Sequence, residues 1–349
     1  MPKPASIAEH VELAPYTTMQ VGGVCDYFVP AGDVATVMEA CAWAEDEGVE
    51  VLVLGEGSNV IVSDEPLHRL VIKVEIPGFE VVAEDDESAT VEIGAGEHWD
   101  GVVDRAVKRG WAGIEAMSMI PGTAGATPVQ NAGAYGQEIA DTLVLVEAYD
   151  RQEHRVVTLA PGSCGFGYRD SAFKHELAGR YVIVGITLRL SKKAPAEPTY
   201  ASLKRYLEAH ETPRPTLAQI RSAVMSVRSK ILPDPSVVPN AGSFFKNPIV
   251  EPYVLERLRR RYPDMPAYEY GDGYKLAAGW LLDQCGLKGA EYFGLRLHAD
   301  HALVITNPHH AGYADLVKLV EFIVAKVDDK FGVRLEPEPL FISSENRQW

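Results

Sequence analysis

From Ile120 to Gly136 the chain reads Ile-Pro-Gly-Thr-Ala-Gly-Ala-Thr-Pro-Val-Gln-Asn-Ala-Gly-Ala-Tyr-Gly, a run of small residues in an otherwise apolar neighbourhood. Backbone with so little side-chain bulk packs closely against something flat. Its glycines permit positive φ and close approach, while Thr123, Thr127, Gln130 and Asn131 bring hydrogen-bonding groups suited to a polar ring or a diphosphate. The plainer alternative is a buried turn whose glycines serve packing only.

A second glycine loop, Gly55-Glu56-Gly57-Ser58-Asn59, separates two apolar runs, Val51 to Leu54 and Val60 to Val62, which read as strands. Backbone amides freed of side chains there can approach a diphosphate. The loop is not a dinucleotide fingerprint, because GxGxxG needs a glycine where Val60 stands and a helix after it. Taken alone it also reads as a tight hairpin turn.

The rest of the pattern mixes helices and strands. Asp33 caps a helix whose apolar positions Val34, Val37, Met38 and Cys41 share one face, and Gly48 suits the residue after its end. Trp99 to Ala106 reads as a helix and Tyr181 to Leu190 as the clearest strand. The Pro-containing stretch from Ser191 to Pro198 reads as a connector. Thr216 and Gln219 form a capping box for a helix bearing Ile220, Val224, Val227 and Ile231, halted by Pro233 and Pro235. Further helices are expected around Val254 to Leu258, Leu276 to Leu281 and Leu316 to Val327, and strands from Ala302 to Thr306 and Val333 to Ile342. This order predicts α+β subdomains without strict βαβ alternation.

Composition narrows the partners. With 349 residues, of which 46% are hydrophobic, the chain can build more than one core. A net charge of -16 repels a phosphate backbone, so nucleic acid is an unsuitable partner. No segment approaches the roughly 20 apolar residues of a membrane span, and the amino terminus lacks a signal-like run, so a cytoplasmic protein is expected. Cys25, Cys41, Cys164 and Cys285 show no CxxC and no metal-ligand spacing, which leaves structural thiols and no expected metal site.

Three further segments concentrate polar groups among apolar ones. Phe166-Gly167-Tyr168-Arg169-Asp170-Ser171-Ala172-Phe173-Lys174 sets a guanidinium among aromatics, where it can hold a carboxylate bidentately or form a surface ion pair. Asn240-Ala241-Gly242-Ser243-Phe244-Phe245-Lys246-Asn247-Pro248 places a serine between glycine and two phenylalanines, with no GxSxG elbow to make it a hydrolase nucleophile. In Leu335-Glu336-Pro337-Glu338-Pro339, one carboxylate is expected to turn inward and the other to meet solvent.

Together these motifs resemble the UDP-N-acetylenolpyruvoylglucosamine reductase (MurB) family. The resemblance runs in order through nearly the whole chain, from Tyr16-Thr17-Thr18 and Val21-Gly22-Gly23 to the long motif from Lys275 to Gly289 and the final Leu-Glu-Pro-Glu. It implies a vanillyl-alcohol-oxidase/PCMH-type FAD-binding fold with a separate α+β substrate-binding domain. The implied division is 1–75 completed by 333–349, then 76–228, then 229–332. It implies noncovalent FAD held by Gly55, Glu56, Gly57, Ser58 and Asn59, and by Pro121, Gly122, Gly125, Ala126, Gln130, Asn131, Gly133 and Ala134. NADPH is the implied electron source and a UDP-sugar enolpyruvyl ether the substrate.

Residue by residue, Ser243 matches the family's proton donor, and Arg169 and Glu338 match the groups that stabilise the intermediate. Tyr200 matches the tyrosine that closes over the substrate diphosphate in type I members. Lys246, Asn247, Lys275 and His301 are the other expected substrate contacts. Since an alcohol is a weak acid, a cation such as Lys246 or Lys230 is expected beside Ser243. Two departures stand out. Lys230-Ile231-Leu232-Pro233 is one residue longer than the family pattern, which puts Lys230 out of step, and His301 stands where type I chains often carry Gln. A monomer is expected.

Overall fold

A computed structural model describes residues 1–343; the last part of the expected carboxyl-terminal completion, 344–349, lies outside the described residues. The chain forms two compact units. The first gathers 1–11, 25–56 and 68–229, and the second gathers 12–24, 57–67 and, of the described residues, 230–343.

In the first unit, helix α1 (Val34–Asp46) begins as the sequence indicates, with the Asp33 carboxylate accepting from the Thr36 amide at 2.7 Å. That bond satisfies one of the unpaired donors of the first turn. The helix buries Val37, Ala40, Cys41, Trp43 and Ala44, and the Tyr27 ring meets Trp43 edge-on at 4.8 Å. A four-stranded sheet runs in the order Ala8–Glu12, Val24–Ala31, Leu67–Val74, Glu50–Leu54, the last two parallel.

A five-stranded antiparallel sheet follows, ordered Arg155–Leu159, Leu143–Asp150, Tyr181–Ser191, Ser88–Gly94, Phe79–Glu84. Its central strand is the one read most clearly from sequence, and Val182 to Ile186 are buried without a break. That continuity explains why its apolar residues run together where a half-exposed strand would alternate. Helix α2 (Trp99–Lys108) buries Trp99, Val102, Val103 and Ala106 in the same core. Residues 192–200 run irregularly to α3 (Ala201–Ala209), which shares a small cluster of Leu203, Leu207, Ile220, Ala223 and Val224 with α4 (Leu217–Ile231). The predicted capping box is present: Thr216 N donates to Gln219 Oε1 at 2.8 Å and Gln219 N to Thr216 Oγ1 at 3.3 Å.

One buried carboxylate makes stability depend on acid. The Asp150 carboxylate accepts from Arg180 Nη2 at 2.6 Å and from the Gln152 amide at 2.9 Å. The Arg180 hydrogen bond, followed by the backbone amides, holds its pKa at about 2, against the opposing effect of burial. An unfolded Asp titrates near ~3.9, so this stabilisation is complete above that value and disappears as pH falls towards 2. Asp150→Asn should therefore flatten the acid limb between about pH 4 and pH 2 in denaturant titrations, and an unchanged limb would contradict this account.

The second unit carries α5 (Pro252–Arg259), α6 (Ala278–Gln284) and α7 (Tyr313–Phe331). Leu316, Val320, Ile323 and Val327 are buried on α7, as their spacing predicts. Two sheets accompany them. One is ordered Asn240–Ser243, Val304–Thr306, Leu295–Leu297, Glu291–Tyr292, and the other Ile249–Val250, Gly273–Leu276, Ala267–Tyr270. Leu276, expected in a helix, instead ends a strand paired with Ala267, and α6 starts two residues later. The strand expected from Val333 covers only Leu340–Ile342, because Pro337 and Pro339 lack the N–H groups a ladder needs. That strand pairs in parallel with Val60–Val62.

All four cysteines are buried and free. Burial pushes the thiols of Cys25, Cys41 and Cys164 up to about 11, so they remain protonated near neutrality.

Candidate functional site

The strands flanking the Gly55–Asn59 loop do not pair with one another. Glu50–Leu54 lies against Leu67–Val74, while Val60–Val62 lies against Leu340–Ile342. The hairpin reading is therefore wrong, and the change of unit falls inside the loop, after Glu56. In the first unit Gly55 backs onto the second loop so closely that a Cβ there would stand 2.8 Å from Thr123 Oγ1. Glu56 ties the loops together, its carboxylate accepting from the Gly122 amide at 3.0 Å. In the second unit Gly57 adopts a φ of +66°, and a Cβ would overlap the Tyr16 carbonyl oxygen. Ser58 and Asn59 are half-buried, and Asn59 Nδ2 donates to the Glu338 carbonyl at 3.4 Å.

The small-residue stretch is laced to the start of α2. Trp99 N donates to the Gly122 carbonyl at 2.9 Å, Trp99 Nε1 to the Met117 carbonyl at 3.3 Å, and Ala124 N to the Glu97 carbonyl at 2.8 Å. Gly122, Gly125 and Gly133 are buried, Gln130 and Ala134 half-buried, and Pro121 and Ala126 exposed. Asn131 is engaged within the protein. Its side chain turns inward, donating to Glu138 at 2.8 Å and to the Gly167 carbonyl at 3.0 Å, so both amide hydrogens are committed to protein acceptors. Thr127 likewise donates to the Ala124 carbonyl at 2.6 Å.

Arg169 sits in the left-handed region with φ +54°, donates through Nη2 to the Gly133 carbonyl and lies 5.5 Å from the centre of the Tyr168 ring. Met119, Asn131 and Tyr135 share that backbone conformation, at φ +60°, +45° and +51°. Such a conformation costs roughly 1–2 kcal/mol for a non-glycine residue, so its recurrence along connected segments marks a place where shape outweighs local stability. Tyr135 meets Tyr200 edge-on, with centroids 5.2 Å apart, and Tyr200 is 51% exposed. Burial raises the Tyr135 phenol above its ordinary value, and it stays protonated.

Arg228, on α4, was not singled out from sequence. Its Nη2 donates to the Met119 carbonyl at 3.2 Å, while its buried Nε has no hydrogen-bond partner among the described residues. Burial lowers its pKa from the ordinary guanidinium value; the neighbouring Tyr135 opposes that shift and Arg169 adds to it. The available signal was an arginine pair, Arg221 and Arg228, at i and i+7 beside the apolar stripe of α4.

In the second unit the Ser243 motif is built around a buried amide. Asn240 Oδ1 accepts from the Gly242 amide at 2.9 Å, and its Nδ2 donates to the Val238 and Pro233 carbonyls at 2.8 and 3.1 Å. This fixes a register shift between Asn240 and Ser243, with Gly242 at φ +69°. Phe244 and Phe245, 0% and 2% exposed, then anchor the strand. Glu338 N donates to the Phe244 carbonyl and Lys246 N to the Glu336 carbonyl, each at 2.9 Å. This short ladder sets Glu338 beside the residue that follows Ser243, a neighbourhood no sequence spacing discloses.

Glu338 is half-buried and Glu336 exposed. Lys246 pairs with Glu336 at 2.5 Å, a partner the sequence reading did not anticipate. Asn247 Oδ1 accepts from the Ala278 amide at 2.9 Å at the start of α6, and the Lys275 ammonium lies 4.1 Å from the Tyr270 ring centre. His301 is pushed below its ordinary pKa by burial, against the pull of Asp283, and its buried Nδ1 has no partner among the described residues.

Comparisons with known proteins show the chain's family and fold. Residues 234–342 match the family described as UDP-N-acetylenolpyruvoylglucosamine reductase, C-terminal domain, and residues 25–159 match the FAD binding domain family. The chain is 42% identical over 335 residues to a UDP-N-acetylenolpyruvoylglucosamine reductase from Chromobacterium violaceum, covering 95% of this chain and 98% of that one. It is 40% identical to the Escherichia coli protein of the same name, covering 95% and 96%. The solved structure of the Thermus caldophilus enzyme of that name superposes with a TM-score of 0.67 at 23% identity, covering 96% and 98%, which shows a shared fold.

Proposed function

The chain belongs to the UDP-N-acetylenolpyruvoylglucosamine reductase family, and from that premise we propose that it reduces the enolpyruvyl ether of UDP-N-acetylglucosamine to UDP-N-acetylmuramate with NADPH. FAD, when bound, supplies the hydride carrier between the two. The residues present fit it. Gly55 leaves room only for backbone beside Thr123, and Arg228 Nε is a buried donor that suits a polar acceptor. Gly55 to Asn59 and the segment from Pro121 to Ala134 are the proposed holding groups, Asn131 contributing through its backbone.

Each proposed residue answers a demand of the chemistry. Hydride addition to the terminal carbon of the enolpyruvyl group pushes negative charge onto the neighbouring carbon and its carboxylate. Arg169 supplies fixed positive charge for that carboxylate, and Glu338, if protonated, supplies a hydrogen bond; one preorganised donor is worth about 3 kcal/mol. Ser243 then delivers its proton to the carbanionic carbon. Lys246 is the proposed cation that steadies the resulting alkoxide, with Glu336 holding its side chain. Tyr200, Asn247, Lys275 and His301 are the proposed contacts to the nucleotide-sugar.

The observation that supports this reading is the backbone pairing of Glu338 with Phe244, which puts Glu338 and Ser243 on adjacent chain segments. The test is spectroscopic. Purified protein should be yellow, bleach anaerobically with NADPH and regain its absorbance only when the enolpyruvyl sugar is added. Rapid recovery in air alone would favour an oxidase on the same fold, and colourless protein unable to take up FAD would reject the reading. Tyr200→Phe should raise KM for the nucleotide-sugar by about fivefold, one hydrogen bond's worth, without altering flavin reduction by NADPH. An effect confined to the NADPH step would contradict this placement. The reading includes action as a monomer in the cytoplasm; among the described residues no helix is long and apolar enough to cross a membrane.

A further inference from the structure

The start of α2 does more than pack. Asp100, in its first turn, accepts from Arg221 Nη1 at 2.6 Å and from Arg221 Nη2 at 2.8 Å, a bidentate pair from α4. Asp100 Oδ1 also accepts from the Met119 amide at 2.6 Å. Met119 holds its left-handed φ of +60° there, and its carbonyl accepts from Arg228. Burial opposes ionisation of Asp100, yet Arg221 and the Met119 amide together keep its carboxyl below the ordinary value. The Arg221 side chain is only 11% exposed and also reaches Asp104 at 3.5 Å.

We propose that Asp100 and Arg221 are positioning residues for the FAD site. They clamp Met119 in a strained conformation, so that its carbonyl fixes the Arg228 guanidinium and leaves Nε directed to bound FAD. Three features of Arg228 and Met119 are linked. Arg228 is half-buried with its Nε enclosed, feels the like charge of Arg169, and needs an anchor to stay there. Among the described residues, its side chain donates to one backbone carbonyl, that of Met119. That carbonyl belongs to a residue whose backbone conformation is unfavourable unless its amide is held. Removing the acceptor at Asp100 lets Met119 relax and the Arg228 anchor move. The same clamp adjoins the segment that Trp99 ties down at Gly122. This inference rests on the FAD reading of the first unit, and its test separates the two.

FAD affinity of the full-length apoprotein, measured by quenching of flavin fluorescence, is the readout. Asp100→Leu should raise Kd for FAD about tenfold, whereas Asp100→Asn, which keeps an acceptor for Met119, should stay within about twofold of the parent. The charge-swapped double variant Asp100→Arg with Arg221→Asp should fail to restore affinity, since arginine cannot accept from the Met119 amide. In an Arg228→Met background, Asp100→Leu should add almost nothing, because both act through one guanidinium. Independent, multiplicative effects would overturn the proposal, as would full rescue by the swap or an unchanged Kd in Asp100→Leu. If Asp100→Leu does not fold, Arg221→Met carries the same test, with a severalfold loss expected and a parental Kd overturning the idea. Failure of the parent apoprotein to bind FAD would instead sink the functional reading itself.

Discussion

Ser243→Ala should leave reduction of the flavin by NADPH at its parental rate and slow reduction of the enolpyruvyl sugar by about 10²-fold or more, the lower range of proton-transfer contributions. The asymmetry follows from the proposed role of proton donor. The hydroxyl is asked for only when the substrate carbon needs a proton, and NADPH oxidation needs none from it. The strand carrying Ser243 is held by Phe244, Phe245 and the Asn240 amide, not by the Ser243 side chain, so removing one oxygen should leave the fold intact. Anaerobic stopped-flow of the two half-reactions reads the outcome directly. Equal losses in both would show that Ser243 shapes the cleft and is not the proton donor, and an unchanged second half-reaction would move that role to another group.

Gly57→Ala is the second variant with a large expected effect, here on stability and flavin retention. At φ +66° an alanine pays roughly 1–2 kcal/mol for its backbone conformation alone. The added carbon would also overlap the Tyr16 carbonyl oxygen and stand 2.8 Å from Thr17 Cα. Those are backbone atoms that cannot swing aside, so the loop must move and the total loss should exceed about 3 kcal/mol. Gly110→Ala is the control, with φ +75° and nothing within 4 Å of its Cβ. It should cost only the conformational part, about 1–2 kcal/mol. Denaturant titration gives both numbers, and flavin content after purification gives the functional consequence. Similar losses in the two variants would mean that the close approach at Gly57 is relieved without cost.

Much of the local structure was legible because it depends on neighbours in sequence. The Asp33 cap, the Thr216 and Gln219 box and the apolar stripe of α7 all appear where the residues place them. The misread segments were those governed by distant partners. Leu276 has a helical neighbour pattern but pairs with Ala267, and the segment before Leu340 looks like strand, yet Pro337 forms only an isolated bridge with Phe245. Asn131 illustrates the same limit: nothing in its glycine-rich loop announces that Glu138 and the Gly167 carbonyl take both hydrogens of its side-chain amide.

By itself, the sequence determined the family, the FAD and nucleotide-sugar chemistry that this membership implies, and local features such as the Asp33 cap, the Thr216 and Gln219 box and the apolar stripe of α7. These are carried by ordered motifs and by interactions within a few residues. Only the tertiary structure decided that the two strands around Gly55 to Asn59 have different partners, that Glu338 lies beside Phe244, and that Asp100, Arg221, Met119 and Arg228 form one chain of contacts. Such pairings depend on the register between segments far apart in sequence, and backbone carbonyls and amides, which every residue carries, make most of them; no side-chain pattern announces which will meet.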